Sequence, residues 1–281
     1  MKKILALSVA LAGFAAAPAQ AACGDEDTPC ETANGSYHIT LPKGDGPHPV
    51  MVFLHGFGGT GSALVRDGGS SREANERGFA YIAPNALPRP GGDRTSWSFH
   101  PDFHDHRDER AFFREVLNDA AEQFNVDPDH AILAGFSIGG SMTSYIACDF
   151  PNDFVAYAPV SGSLWRPHRQ GCEGPVRLLH THGWRDKTVP LEGRVVGKRN
   201  DTEFAQGDVF RSMRLWREVN GCSNYRADSF QTDEYFWRRT WEHCQPGTAL
   251  QFVMFDGAHG IPRGWADIVF DWLDELQVPT Q

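Results

Sequence analysis

A serine flanked by glycines is the first feature of this sequence that could do chemistry. Residues 135–139 read G-F-S-I-G, a G-x-S-x-G pattern with Ser137 at its centre. A serine on a sharp turn from strand to helix needs neighbours without side chains, because larger residues would crowd the turn. The apolar run Ala131–Ala134 precedes the pattern and a helical pattern follows it. Ser137 is therefore the predicted nucleophile.

A serine hydroxyl is a poor nucleophile until a base takes its proton. The histidines that follow Ser137 are His168, His180, His182, His243 and His259. His259 lies directly after the last predicted strand, in a loop that can reach the sheet edge where such a serine is exposed. His180 and His182 belong to or border a strand, where structural partners are expected, and His243 is expected at the surface or in packing. His259 is the predicted base.

An acidic residue that orients the base should lie between the serine and the histidine in the chain. Asp186 follows the predicted strand Val176–His180, whereas Asp256 is too near His259 in sequence to reach its ring easily. The other candidates, which no predicted strand positions, are Asp201 and Asp208. Asp186 would hold the imidazole in one tautomer and stabilise its cation. A helix-cap or turn aspartate is the alternative interpretation.

A glycine-rich loop could supply backbone donors for the negative charge that develops during acyl transfer. Residues 55–59 read H-G-F-G-G and follow the apolar strand Val50–Leu54. We assign one donor to the N–H of Phe57 and the other to the N–H of Ile138. The alternative is a tight turn without a functional role, and the pairing with the serine turn favours the oxyanion site.

The elements that must position these residues alternate between strands and helices. The predicted strands are Val50–Leu54, Phe79–Ala83, Ala131–Ala134, Val155–Pro159, Val176–His180 and Leu250–Phe255. The predicted helices are Arg110–Phe124, Ser141–Cys148, Asp208–Val219 and Trp265–Leu276. Such alternation predicts an α/β domain with a parallel sheet. Ser36–Leu41 could add an antiparallel edge strand, and the long loops at 84–109 and 187–207 could carry function.

The first 21 residues have the pattern of a secretory signal peptide. Lys2 and Lys3 precede the apolar run Ile4–Ala17, and the small residues of a cleavage site end at Ala21. The run is too short to span a bilayer comfortably, which disfavours a membrane anchor. Lipid attachment at Cys23 is disfavoured, because a lipobox would have a leucine-like residue where this chain has Gln20. We expect a single catalytic domain over residues 22–281, secreted or periplasmic after cleavage near Ala21.

Composition excludes several classes of protein. The formal charge is −10, and the chain contains 29 glycines and 18 prolines. These values disfavour a nucleic-acid binder and a coiled coil. Six cysteines in an exported chain suggest disulfides, for which fifteen pairings are possible. Local spacing favours Cys23–Cys30, Cys148–Cys172 and Cys222–Cys244, and free buried cysteines are the alternative.

Two further clusters have residue types suited to binding. The stretch His100–Asp108 contains three histidines and three aspartates, but its H-x-x-x-H spacing contains Pro101 and is not helical, so we expect a solvated loop and no metal. The aromatic run Tyr235–Trp237, with Trp241, suits either a substrate platform or a strand pair, and strand propensity favours the pair. The predicted substrate-binding residues are His55, Trp97 and Trp184.

Together these motifs resemble the secreted polyhydroxybutyrate-depolymerase and feruloyl-esterase family of α/β-hydrolases. The matching segments are His55–Gly59, Ser96–Phe99, Ser137 in its turn, Ala158–Val160 with Gly162, His182–Asp186 with Val189–Pro190, and Gly257–His259 with Pro262. The resemblance implies an α/β-hydrolase fold, a mostly parallel sheet with helices on both faces. It also implies a Ser137–Asp186–His259 triad that hydrolyses a carboxylic ester through an acyl-enzyme. It supports the Cys148–Cys172 and Cys222–Cys244 pairings.

The chain departs from that family near the expected acyl pocket. Trp184 stands where a small residue is often found, Ile138 stands where asparagine is common, and Trp97–Phe99 contains one tryptophan instead of two. These departures affect the prediction of the substrate more than the prediction of the reaction type.

The sequence therefore predicts an exported serine carboxylic-ester hydrolase that needs no cofactor. Its expected substrate is a polyhydroxyalkanoate (polyhydroxybutyrate) ester or oligomer, and a feruloyl (hydroxycinnamate) esterase is the alternative. A peptidase or acyltransferase is disfavoured because no gating domain is evident. A non-catalytic binding module is disfavoured because all three triad residues are present. We expect no nucleic-acid partner and no stable membrane association.

Overall fold

One ten-stranded sheet organises the molecule. The computed structural model describes residues 23–100, 107–199 and 202–276. Its strands are β1 (Cys30–Thr32), β2 (Gly35–Thr40), β3 (His48–Leu54), β4 (Ala80–Pro84), β5 (Leu87–Pro88), β6 (Thr95–Ser96), β7 (Val126–Phe136), β8 (Ala156–Val160), β9 (Arg177–Gly183), β10 (Val195–Arg199), β11 (Thr202–Ala205), β12 (Ser229–Thr232), β13 (Phe236–Trp241) and β14 (Ala249–Phe255). Its helices are α1 (Gly61–Asp67), α2 (Gly69–Glu76), α3 (Glu109–Phe124), α4 (Ile138–Asp149), α5 (Val209–Val219) and α6 (Trp265–Glu275).

The centre of the sheet is parallel and its two ends are antiparallel. The strand order is β1-β2-β4-β3-β7-β8-β9-β14-β13-β12. The run from β4 to β14 is parallel, whereas β1 and β2 at one end and β13 and β12 at the other pair antiparallel. The six strands predicted from apolar runs form this parallel centre, because strands covered on both faces need apolar side chains on both. The prediction of a mostly parallel sheet is confirmed.

Helices cover both faces of the sheet. Val50, Val52 and Leu54 of β3 belong to one apolar cluster, which also contains core residues of α3, α4 and α5. Met51 and Phe53 alternate with them and belong to a second cluster with core residues of α2 and α6. Because successive side chains of a strand point to opposite faces, this division places two cores on opposite sides of one sheet. The expected two-faced helical packing is confirmed.

The predicted helices are present with shifted ends. α3 begins after Asp108, whose side chain accepts a hydrogen bond from the N–H of Ala111, and Asp208 caps α5 in the same way. α4 is longer than predicted because it starts directly after Ser137. α1 and α2 were not predicted, since both are short and contain too few apolar residues to show a helical periodicity.

Three expectations about loops and edges were wrong in part. The predicted strand Ser36–Leu41 corresponds to β2, which begins and ends one residue earlier and pairs antiparallel with β4. Because β1 pairs with the other side of β2, β2 is not the edge strand. The loop at 84–109 contains the hairpin β5–β6, and the loop at 187–207 contains β10–β11. The aromatic run at 235–237 contributes to the β12–β13 pair, so the strand interpretation is confirmed.

Three disulfides join the cysteine pairs that spacing favoured. They are Cys23–Cys30, Cys148–Cys172 and Cys222–Cys244. No helix among the described residues is long and apolar enough to cross a membrane. The predicted signal peptide at 1–21 lies outside the described residues.

We predict that the C148A/C172A double variant is less stable than the wild type. The bond joins the end of α4 to a loop 24 residues further along the chain. Without it, the unfolded chain gains conformational entropy, which lowers the free energy of unfolding by about 3 kcal/mol. Thermal unfolding should shift down by roughly 5–10 °C. Treatment with reductant is the control: it should lower the midpoint of the wild type and change the double variant less. Equal midpoints for the wild type and the variant would contradict the prediction.

Candidate active site

A strained turn between β7 and α4 holds Ser137 at the sheet edge. Its backbone has φ 58° and ψ −119°, a conformation that non-glycine residues rarely adopt. The turn needs glycine on the helix side, because a Cβ on Gly139 would lie 2.2 Å from the carbonyl oxygen of Leu54. The N–H of Ser137 donates to the carbonyl of Val160 at 2.9 Å, which ties the turn to β8. The predicted nucleophile setting of strand, turn and helix is therefore present.

The three residues of the predicted triad form a chain of two hydrogen bonds, with His259 in the middle. His259 Nε2 lies 2.9 Å from Ser137 Oγ, and His259 Nδ1 lies 2.7 Å from Asp186 Oδ2. A carboxylate accepts only, so Nδ1 carries the proton and donates to Asp186. Nε2 is then bare and accepts the hydrogen bond of the serine hydroxyl. This arrangement can remove a proton from Ser137 while an oxygen nucleophile forms.

Asp186 is buried yet held in its charged form. Burial raises the pKa of its carboxyl, but the hydrogen bonds from His259 and from the N–H of Val189 outweigh burial, and the net pKa is below its ordinary value. Asp186 Oδ1 accepts from the N–H groups of Thr188 and Val189, each at 2.8 Å. Two backbone donors and one imidazole donor therefore stabilise the negative charge.

The parallel sheet brings these residues together. Asp186 follows β9 and His259 follows β14, and the two strands are neighbours with Gly183 aligned to Phe255. A Cβ on Gly183 would lie 2.3 Å from the carbonyl oxygen of Ala258, so only glycine permits the two loops to touch there. The N–H of Arg185 also donates to the carbonyl of Gly257 at 2.8 Å.

Two buried histidines support the loop that carries Asp186. His182 Nε2 donates to the carbonyl of Val189 at 2.8 Å, so its Nδ1 accepts from His180 Nε2 at 3.1 Å. Burial lowers the pKa of both rings, so both are neutral at neutral pH. In this arrangement His180 Nδ1 is left as an acceptor without a partner, as the structure shows. The expected structural role of these histidines is consistent with these contacts.

The loop after β3 presents a backbone N–H beside the serine turn. The N–H of Gly59 donates to the carbonyl of Gly56, and that of Gly58 donates to the carbonyl of Thr95 at 2.9 Å. Among the described residues, none accepts a hydrogen bond from the N–H of Phe57. Ile138 is the first residue of α4, so its N–H also lacks an intrahelical acceptor. These two donors fit the predicted oxyanion site.

His55 and Trp97 do not fit the predicted role of substrate contact. They are 2% and 3% exposed. His55 Nε2 accepts from the N–H of Ala86 at 3.1 Å, and its Nδ1 donates to the carbonyl of Gly56 at 2.8 Å. Trp97 Nε1 donates to the carbonyl of His55 at 2.8 Å. Our expectation was wrong for both residues, because both side chains are buried and hydrogen-bonded within the protein.

Trp184 is the predicted binding residue that remains accessible. Its side chain is 54% exposed, and its N–H donates to the carbonyl of Phe255 at 2.9 Å. Its indole ring packs edge-on against Trp237, with 6.3 Å between ring centroids. Trp184 lies two residues before Asp186, so it flanks the candidate site on the β13 side.

The histidine- and aspartate-rich stretch is only partly described. His100 Nε2 interacts with the carbonyl of Arg166 at 3.0 Å, and Asp108 caps α3. Residues 101–106 between them lie outside the described residues, as does the minor acid candidate Asp201. Within the described ranges, no group of three or more metal-ligating side chains could hold an ion. The expected absence of a metal stays a prediction.

Sequence reasoning missed a serine that holds the histidine loop. Ser161 is buried, has φ 49°, and donates through Oγ to the carbonyl of Gly260 at 3.4 Å. Its N–H donates to the carbonyl of Thr181 at 2.8 Å. No local pattern in the sequence marks this role, since it depends on β8 lying beside β9.

Comparisons with known proteins identify esterases. A family model described as "Putative esterase" matches residues 33–229. The protein called "Putative esterase NocK" of Nocardia uniformis subsp. tsuyamanensis is 32% identical over 158 residues, 54% of this chain and 43% of that protein. The chain thus matches less than half of that relative. A "Probable feruloyl esterase C" of Aspergillus niger is 27% identical over 262 residues, 86% of this chain and 84% of that protein.

A solved structure shares the fold. An acetyl xylan esterase from Aspergillus awamori superimposes with a TM-score of 0.60 at 16% identity, covering 86% of this chain and 94% of its own. At this identity the likeness concerns the fold alone, which is the α/β-hydrolase fold.

We predict that D186N lowers kcat for ester hydrolysis by about 10⁴-fold, because an amide would favour the wrong tautomer of His259. The matched control is D256N, since Asp256 is exposed, lies three residues before His259 and pairs with Arg185 at 2.9 Å. D256N should keep the wild-type rate. A D186N enzyme that retains more than about a tenth of the wild-type kcat would contradict the assignment of Asp186.

We predict an acid-sensitive contribution to stability from His55. Burial lowers the pKa of this ring to about 4, whereas the ring titrates near 6.5 in an unfolded chain. Between these values the unfolded state binds a proton that the folded state excludes, so the free energy of unfolding falls as the pH decreases from about 6.5 to about 4. From pH 7 to pH 5, His55 should account for about 2 kcal/mol of this loss.

Urea denaturation at pH 7 and pH 5 measures this contribution. H55Q keeps a donor and an acceptor but does not titrate, so its loss between the two pH values should be smaller by that amount. H48Q, at the start of β3, is the control and should behave as the wild type does. Identical losses for H55Q and the wild type would show that His55 is not buried in its neutral form.

Proposed function

The chain belongs to the "Putative esterase" family and is a carboxylic-ester hydrolase, and on this premise we propose that it is an exported serine esterase that works through an acyl-enzyme. The observation that carries the proposal is the hydrogen-bonded chain from Ser137 Oγ through His259 to Asp186, with distances of 2.9 and 2.7 Å. Its single catalytic domain would span residues 22–281.

In the proposed mechanism, Ser137 Oγ attacks the ester carbonyl carbon while His259 Nε2 takes the hydroxyl proton. The N–H groups of Phe57 and Ile138 stabilise the carbonyl oxygen as it becomes negative. His259 then gives its proton to the departing alcohol, and the C–O bond to that alcohol breaks. Water repeats the sequence: His259 removes its proton, the acyl carbon is attacked, and Ser137 recovers its hydrogen as the acid leaves. Asp186 stabilises the imidazolium in both halves.

The proposed substrate is a polyhydroxyalkanoate ester or oligomer. Exposed Trp184, with Trp237 beside it, offers an apolar surface next to the triad. Such a surface suits a chain that lies along the molecule and presents successive ester bonds to Ser137. Export rests on the predicted signal peptide, and the three disulfides are consistent with an oxidising compartment.

A feruloyl esterase is the second candidate function. The observation that favours it is the alignment of 86% of this chain with a protein named a probable feruloyl esterase C. In that case Trp184 would stack on the hydroxycinnamate ring instead of contacting an aliphatic chain.

The decisive experiment compares two reactions of the mature protein. One is release of 3-hydroxybutyrate from its oligomers, and the other is release of ferulate from methyl ferulate, with S137A as the blank. We expect the oligomer to be hydrolysed with the higher kcat/KM. A preference for methyl ferulate would replace the first substrate class by the second.

Active-site labelling tests the nucleophile independently of substrate choice. A fluorophosphonate should label the wild type and leave S137A unlabelled, because the probe reacts with the activated serine hydroxyl. The S163A variant is the matched control and should still be labelled. Labelling that survives in S137A would overturn the nucleophile assignment.

A further inference from the structure

Two arginines lie on the exposed ring that belongs to the candidate oxyanion loop. The guanidinium carbon of Arg89 is 4.6 Å from the centroid of the Phe57 ring, and that of Arg94 is 5.5 Å from it. The Phe57 side chain is 42% exposed, so the two cations and the ring form one accessible surface. The backbone N–H of the same Phe57 is a proposed oxyanion donor. The two cations therefore border the site where the ester carbonyl would bind.

The hairpin that carries these arginines is fixed to the loop. Arg89 and Arg94 flank its turn, and the N–H of Arg89 donates to the carbonyl of Arg94 at 3.0 Å. Thr95 receives a hydrogen bond from the N–H of Gly58 at 2.9 Å, and its Oγ1 donates to the carbonyl of Gly59 at 2.7 Å. The Arg94 side chain also passes over Gly58, where a Cβ would lie 3.8 Å from Cδ. Hairpin, cations and oxyanion loop thus form one unit.

Neither guanidinium is neutralised within the described part of the chain. No ion pair or side-chain hydrogen bond joins Arg89 or Arg94 to any described residue. Two other arginines are neutralised within the chain: Arg107 lies 2.7 Å from Glu109, and Arg110 makes two hydrogen bonds to Asp153. Arg89 and Arg94 differ from these two because both are without an acidic partner among the described residues and both lie on the ring of Phe57.

Both arginines are exposed and can reach a ligand. An arginine remains charged at neutral pH. Two guanidiniums that share one aromatic face can offer several N–H donors to a single planar carboxylate.

We propose that Arg89 and Arg94 form a carboxylate-binding subsite at the rim of the active site. The preferred substrates are then esters that also carry a free carboxylate, as the acid-terminated oligomers of 3-hydroxyalkanoates do. This inference rests on the proposed ester hydrolysis and narrows its substrate class. In a hydroxybutyrate dimer the carboxylate is only a few bonds from the scissile ester, so both could be held at once. The subsite would select short soluble oligomers over neutral esters.

A matched pair of substrates tests the proposal. The 3-hydroxybutyrate dimer with a free carboxylate and its methyl ester differ in that charge, and both reactions are followed at the ester bond that joins the two 3-hydroxybutyrate units. We expect the wild type to hydrolyse the acid with a kcat/KM roughly 10- to 100-fold above that of the methyl ester, the range for a charged hydrogen-bonded pair. In R89Q/R94Q this ratio should fall to about 1, mainly through a higher KM for the acid.

Control variants distinguish a local binding subsite from the overall electrostatic field of the protein. R72Q/R114Q removes two exposed positive charges from α2 and α3 and should keep the wild-type ratio. R89K/R94K keeps the charge but loses the planar donors, so it should retain part of the preference. A wild-type ratio near 1, an unchanged ratio in R89Q/R94Q, or an equal loss in R72Q/R114Q would overturn the proposal.

An inhibition measurement keeps this test independent of the polymer substrate. With 4-nitrophenyl acetate as a generic ester, 3-hydroxybutyrate should inhibit the wild type more strongly than 3-hydroxybutyramide, and R89Q/R94Q should remove the difference. If the dimer is not hydrolysed but this difference is found, the polyhydroxyalkanoate function fails and the subsite stands. If the dimer is hydrolysed without any effect of the free carboxylate or of the arginines, the function stands and the subsite fails.

Discussion

The close contact between the serine turn and the end of β3 is the constraint on which the site depends. Gly139 lies so near the Leu54 carbonyl that any Cβ would overlap it. The contact presses the start of α4 against the strand that leads into the candidate oxyanion loop. It thereby brings the start of α4, at Ile138, close to the loop that carries Phe57. A strained φ of 58° at Ser137 is held by this packing and by the hydrogen bond to Val160.

The hydrogen-bond partners and the burial of each ionisable side chain determine its charge in the site. Asp186 stays ionised because backbone N–H groups and His259 donate to it. The two histidines behind it are neutral, since burial disfavours their cations. A second cation beside Asp186 would compete with His259 for its charge, so neutral supports leave the carboxylate available to the imidazolium that forms during catalysis.

The two flanks of the site differ in chemistry. On the β13 side, Trp184 exposes an apolar ring against Trp237. On the β3 side, Arg89 and Arg94 place positive charge on Phe57. A substrate that spans both flanks would combine an aliphatic or aromatic portion with an anionic end. The arrangement therefore joins the proposed ester hydrolysis to the proposed selection of carboxylate-bearing esters.

The sequence by itself determined the parallel sheet, the serine turn and the chain order of Ser137, Asp186 and His259. These features are local, because apolar runs mark buried strands and a strained turn needs its own glycines. Only the tertiary structure decided the roles of His55 and Trp97, which lie in segments that match the family pattern but are buried. It also decided the contacts of Ser161 with the His259 loop and of the two arginines with Phe57. Such contacts join segments that no local pattern relates, because strand order and the packing of one loop on another depend on the whole fold.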